Sequence, residues 1–251
     1  MAAGLPLPRQ IFGHGFMTVD GQRMSKSLGT VIDPVEAAGR FGPDPLRLYL
    51  TKEIPFGGDG DFSWARYDER YNADLANNLG NLVSRVAAMA GRYRGGVLAP
   101  TGAPSAKLLG IAVDAVGAYR RAMDAFALHE GAAAAFSIVD ATNAFIAETT
   151  PWTLAKDREN DIRLSQVLFD TAEAIRLAAV LLSPIMPASS ADILRRVGAP
   201  QTPLNLDRDG HWRNEGERTL APRDAMWPRK EQTTVSHDVP ATPASPAAVA
   251  P

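Results

Sequence analysis

The 251-residue chain contains no cysteine. That excludes disulfide staples and any zinc site with cysteine ligands, and it fits a reducing cytosol. No apolar run is long enough to span a membrane. Residues 1–8 lack the basic start and apolar core of a secretory signal. The expectation is therefore a cytoplasmic protein with no membrane partner. A strong excess of charge of one sign is also missing: the formal net charge is −2, so a nucleic-acid partner would have to be attracted by local patches. Aromatic residues are sparse at 7%. What is present is 45% hydrophobic and 22% charged residues, the balance of a soluble globule. Alanine is abundant, which favours helices with small packing residues. The length allows one large domain or two smaller ones.

Leu5-Pro6-Leu7-Pro8 reads as extended chain or loop, because each proline biases its predecessor away from helix. His14 has no Ser, Asp or second His partner at a telling spacing, and a structural role is the expectation for it. Gly15-Phe16-Met17-Thr18-Val19 is strand-like. Gly21-Gln22-Arg23-Met24-Ser25-Lys26-Ser27-Leu28-Gly29-Thr30 then puts a lysine and two serines between glycines, on a loop. Asp33-Pro34-Val35-Glu36 carries an N-cap, a proline at the first helical position and a glutamate three residues on. This helix ends near Gly39 or Phe41. Asp44-Pro45 predicts a second helix with the same cap and proline. Residues 54–61 break helix throughout and predict a loop or short strand.

Ser63 is expected to cap a long helix whose apolar stripe includes Leu75, Leu79, Leu82, Val83, Val86, Met89, Ala90 and Tyr93. At 100° per residue Asp74, Asn78, Asn81, Arg85 and Arg92 cluster on another face. Arg94-Gly95-Gly96 ends it. Ser105 predicts the next cap, with Leu109, Val113, Val116, Tyr119, Met123 and Phe126 at helical spacing. A third helix over about 129–149 is alanine-rich and stops at Thr149-Thr150-Pro151-Trp152. A fourth runs over about 159–182, and a short fifth over about 190–197. Short early connections suit an antiparallel bundle. From residue 198 to 231 no period persists, and Trp212, Met226 and Trp227 are expected to anchor that segment onto the bundle. Residues 232–251 are too poor in apolar content to offset their ordering entropy and are expected to be disordered.

A lysine on a glycine-flanked loop suits polyphosphate chemistry. A mobile ammonium that closes over a departing pyrophosphate stabilises the transition state more than the ground state. Met24-Ser25-Lys26-Ser27 resembles the KMSKS signature of class I aminoacyl-tRNA synthetases. Further stretches resemble the methionyl-tRNA synthetases in particular. They are the segment from His14-Gly15-Phe16 through Ile32-Asp33-Pro34, Phe41-Gly42-Pro43-Asp44-Pro45-Leu46-Arg47, and the run ending Asp59-Gly60-Asp61-Phe62-Ser63. To these are added the helix holding Asn77-Asn78-Leu79-Gly80-Asn81-Leu82-Val83-Ser84-Arg85, and the pair Pro151-Trp152. The likeness runs through nearly all of residues 5–230. Arg23 stands where the family usually has the first lysine of the signature, and Thr30 where it usually has asparagine.

The resemblance implies a mainly α fold: an antiparallel helical anticodon-binding bundle (63–231), preceded by the end of the catalytic domain with the KMSKS loop and a small α/β stem-contact element (1–62), then a disordered tail (232–251). It implies that Lys26 is the catalytic, ATP-phosphate lysine, with Met24, Ser25 and Ser27 in the ATP-binding loop. It implies that Asn81, Arg85 and Trp152 read a CAU anticodon. Side-chain geometry is compatible: Asn81 and Arg85 are i and i+4, and a tryptophan at a helix terminus can stack unpaired bases. A solvated Asn/Arg pair and a core tryptophan are the bland alternatives. The expected chemistry of the whole enzyme is ATP- and Mg2+-dependent attachment of methionine to tRNA. No Rossmann nucleotide site, HIGH motif or metal-binding knuckle stands in this sequence, and no zinc site is expected. The expectation is a C-terminal part that binds tRNA without aminoacylating alone, its catalytic half supplied in cis or in trans. A free-standing tRNA-binding or assembly module, or another class I synthetase, are the alternatives.

Overall fold

The computed structural model describes residues 4, 7–8, 10–11, 13, 15–25, 31–55, 57–200, 203–222 and 224–229. His14 and the tail expected to be disordered lie outside the described residues. The chain begins with a short hairpin, β1 (Met17–Val19) and β2 (Gln22–Arg23). Its two turn residues, Asp20 (φ 48°) and Gly21 (φ 75°), both sit at positive φ. Asp-Gly is the dipeptide that makes such a two-residue turn at low cost. Two helices follow, α1 (Pro34–Phe41) and α2 (Pro43–Glu53), and then β3 (Gly60–Phe62). β3 pairs with β1 in parallel, Met17 opposite Gly60 and Val19 opposite Phe62. Val19, Ala37, Leu46, Tyr49, Phe62 and Tyr67 bury a small core between this sheet and the helices.

Asp33 caps α1 as its sequence predicts, accepting from the Val35 amide at 2.8 Å. The cap assigned to Asp44 is a correction. α2 starts two residues earlier, at Pro43, with Gly42 at its N-cap. Asp44 is buried (5% exposed) and accepts from the backbone N–H of Ser189 at 2.6 Å. Ser189 lies in the first turn of a helix 145 residues away, so Asp44 satisfies an orphan donor there. Arg47 adds bonds to the carbonyls of Ile185 (2.7 Å) and Pro184 (2.8 Å). These two side chains of α2 hold the small core to the large one.

From Ser63 the chain is helical for three segments without a break: α3 (Trp64–Arg70), a π-helical stretch (Tyr71–Leu79) and α4 (Gly80–Arg94). Ser63 sits at the N-cap without a side-chain bond to the helix. The π stretch adds backbone between turns and shifts the phase of everything after it. The polar residues expected on one face at 100° per residue are engaged differently along it. Asp74 turns to Lys52 on α2, at 2.8 Å. Asn78 turns to the third bundle helix, and Asn81 stays exposed. Gly95 ends α4 at φ 62°, with the Gly96 N–H on the Ala90 carbonyl.

After β4 (Val97–Leu98), α5 (Ala106–Asp124) and α6 (Leu128–Thr149) are joined by three residues. They run antiparallel: Lys107 near the start of α5 pairs with Glu148 near the end of α6, while Gly131 packs against Met123 and Tyr119. Ala132 and Ala135 are fully buried on the close face. α7 (Pro151–Leu154) is a single turn. α8 (Asp161–Leu182) is buried from Gln166 to Leu182 without interruption and forms the centre of the molecule. α9 (Pro187–Arg196) and α10 (Leu206–Asp209) close the end.

The stretch after 198 holds one pairing that its lack of period did not predict. β5 (Arg218–Thr219) lies antiparallel to β4, Val97 opposite Thr219. Trp212, Met226 and Trp227 pack on the large core as expected. A Cβ added at Gly80 would lie 2.9 Å from the Trp227 ring, so glycine there lets this segment seat on the long helix.

Candidate nucleic-acid interface

Asn81 is exposed on the first turn of α4, and Arg85, half-buried, stands one turn further on. A helix displays such side chains with no backbone left to order on binding. Below Arg85 the helix is tied to α6. Arg85 Nη1 donates to Asn143 Oδ1 at 3.4 Å. Asn143 Nδ2 donates to Asn78 Oδ1 at 2.9 Å, and Asn78 Nδ2 to Asp140 Oδ1 at 2.8 Å. One turn earlier on the long helix, Lys52 pairs with Asp74 and lies 4.5 Å from the centre of the Phe136 ring. The face is thus built from the long helix, α6 and Lys52 of α2.

Asn143 lies six residues before the end of α6, about 9 Å along the axis. Thr150 then turns the chain in the left-handed region (φ 42°, ψ 65°). A β-branched residue adopts that conformation only under constraint from its surroundings. The constraint is visible on both sides of Trp152: Pro151 and Leu154 are buried, Leu154 in the large core. Trp152 between them is 43% exposed. The indole therefore stands open to solvent between buried neighbours and is not a core tryptophan.

The signature loop is described only at its root. Met24 packs against the small core and Ser25 is half-exposed. Lys26 and Ser27 lie outside the described residues. What supports the root is an acidic side chain that sequence reasoning did not single out. Asp61 Oδ1 accepts from Thr18 Oγ1 at 2.6 Å and from the Gly21 N–H at 2.9 Å. The Thr18 hydrogen bond, then that of Gly21, holds its carboxyl below the ordinary value. Asp59 likewise accepts from the Phe16 N–H at 2.8 Å. The available signal was the Asp20-Gly21 pair, the strongest short-range hairpin mark.

Among the described residues there is no group of three or more His, Asp or Glu that could hold a metal ion. No described helix is long and apolar enough to cross a membrane.

Two family models match the chain: "tRNA synthetases class I (M)" over residues 1–87, and "Anticodon binding domain of methionyl tRNA ligase" over residues 99–221. The methionine–tRNA ligase of Clostridium perfringens is 39% identical over 235 residues, 91% of this chain and 36% of that protein. The one from Nostoc sp. is 41% identical over 202 residues, 79% of this chain and 38% of that protein. The chain thus spans about a third of the length of the curated relatives it matches. Among solved structures, Mycobacterium tuberculosis methionyl-tRNA synthetase in complex with methionyl-adenylate superposes with a TM-score of 0.79. It is 34% identical, with 91% of this chain and 46% of that chain covered.

Proposed function

The chain belongs to the methionyl-tRNA synthetase family, and we propose that its helical part (63–231) binds the CAU anticodon loop of a methionine tRNA. One observation carries this reading: an exposed amide and a guanidinium, Asn81 and Arg85, stand on a face tied to α6, and an exposed, rigidly held indole follows that helix. Unpaired bases are recognised by this combination of edge donors and stacking surface. The antiparallel helices supply the stiffness.

The first 62 residues are the stem-contact element and the base of the signature loop. Lys26 is the ATP-phosphate lysine in this reading, flanked by Met24, Ser25 and Ser27. ATP with Mg2+ and methionine are substrates of the whole enzyme, which attaches methionine to tRNA in the cytoplasm, with no zinc site in this part. Asp61 holds the hairpin from which the loop departs. The nucleotide and methionine pockets belong to a catalytic half that completes the site in cis or in trans. This chain by itself binds tRNA and does not aminoacylate it.

The purified chain is expected to bind a tRNA anticodon hairpin in a fluorescence-anisotropy titration, and to show no methionine-dependent ATP–pyrophosphate exchange. Absence of binding, or exchange activity above background, overturns the proposal.

A further inference from the structure

Three side chains near Arg85 are not readers in the arrangement above, yet they form a directed chain that ends on it. A carboxylate only accepts, and Asn78 turns its NH2 toward Asp140 Oδ1 at 2.8 Å. That leaves the Asn78 oxygen facing α6, where it accepts from Asn143 Nδ2 at 2.9 Å. Asn143 Nδ2 also reaches the Val139 carbonyl at 3.3 Å. Both bonds require its amide nitrogen on that side. Its oxygen is therefore the atom that faces the guanidinium, at 3.4 Å from Nη1. With either amide flipped, an NH2 group would face a donor. The orientation is settled by the network, and amide dipoles aligned toward a charge polarise one another.

We propose that Asn143 is a positioning residue for Arg85, holding the guanidinium in its RNA-binding orientation through the Asp140–Asn78–Asn143 chain. The inference rests on the anticodon-binding reading of Arg85. Arginine has several rotatable bonds and a large rotamer entropy. The Asn143 bond occupies one of five N–H donors, fixes the plane of the fork and leaves other donors for a base or phosphate. Asn78, Asp140 and Asn143 each keep some exposure, so replacing them does not open the core.

The test is a double-mutant cycle in the intact chain, read as affinity for an anticodon hairpin bearing CAU. Asn143→Ala is expected to weaken binding about five- to tenfold, the scale of one ordinary hydrogen bond, the bond to Arg85 being long at 3.4 Å. Arg85→Ala is expected to weaken it at least as much. In the Arg85→Ala background, adding Asn143→Ala is expected to cost nothing more, because a positioning residue has nothing left to position. An equal loss in both backgrounds overturns the proposal, since it marks direct contact with RNA or a general scaffold effect. So does an unchanged affinity for Asn143→Ala while Arg85→Ala binds weakly. Arg85→Ala with full affinity is a different failure: it removes the reading role of Arg85 and the proposal with it. Should Asn143→Ala fold poorly by circular dichroism, Asn78→Ala breaks the next link from the opposite helix and takes its place in the same cycle.

Discussion

Trp152→Ala weakens binding of the anticodon hairpin by about 1–3 kcal/mol, the usual worth of one base stacked on an aromatic ring. The structure makes this change clean. Trp152 is 43% exposed, whereas Pro151 and Leu154 on the same turn are buried and hold α7 in place. Removing the indole therefore takes away a solvent-facing surface and leaves the anchors. The left-handed Thr150 just before it, at φ 42°, is part of the same turn and keeps its conformation. The melting temperature should stay close to that of the parent chain while affinity falls. Unchanged affinity in a folded variant would remove Trp152 from the site.

The second large effect is on stability. Glu173 is fully buried on α8, and it accepts from three residues. Arg176 bonds it twice, Nε to Oε2 at 2.8 Å and Nη2 to Oε1 at 2.7 Å. The backbone N–H of Arg213 reaches Oε1 at 2.7 Å, and Arg218 Nη2 bonds to Oε2. Arg176 is 2% exposed and Arg218 7%. Arg218 also lies 4.8 Å from the centre of the Phe169 ring, and its Nη1 has no hydrogen-bond partner among the described residues. The two guanidiniums are thus tolerated in the core because one carboxylate faces both. Glu173→Ala leaves them without that charge, and breaking a buried pair costs about 3–5 kcal/mol. Against a typical total of about 5–15 kcal/mol, much of the folded state's margin is gone. Urea unfolding should show a midpoint far below that of the parent. A shift worth under about 1 kcal/mol would mean that water replaces the carboxylate, contrary to the burial.

How much of this was legible in the sequence depended on how local the cause was. Asp33 capping α1, Ser105 bonded to the Leu108 N–H, and Gly95 ending α4 are one-turn effects, and their residue types announce them. The break at Pro151 and the apolar stripes were legible for the same reason. The π-helical stretch was not, because no residue type marks it. Within it, Asp74 and Asn78 are taken up by partners on α2 and α6. Asp44 has the sequence of a cap, but its partner is Ser189, and a spacing rule cannot reach across 145 residues. The β4–β5 pairing uses two residues per strand, too few for any alternation to register. Of the site, Asn81, Arg85 and Trp152 were named from their residue types and the family likeness. Asn143 was not, because an asparagine inside an alanine-rich helix carries no signal until its neighbours on the other helix are known.

If the face of Asn81, Arg85 and Trp152 reads the anticodon, it distinguishes one anticodon from another. The direct measurement is affinity of the intact chain for an anticodon hairpin bearing CAU, set against the same hairpin with one anticodon base altered. A base edge that loses a hydrogen bond to a charged or amide donor should bind about tenfold or more weakly. Equal affinities for the two hairpins would contradict the account and leave the chain as a sequence-independent RNA binder.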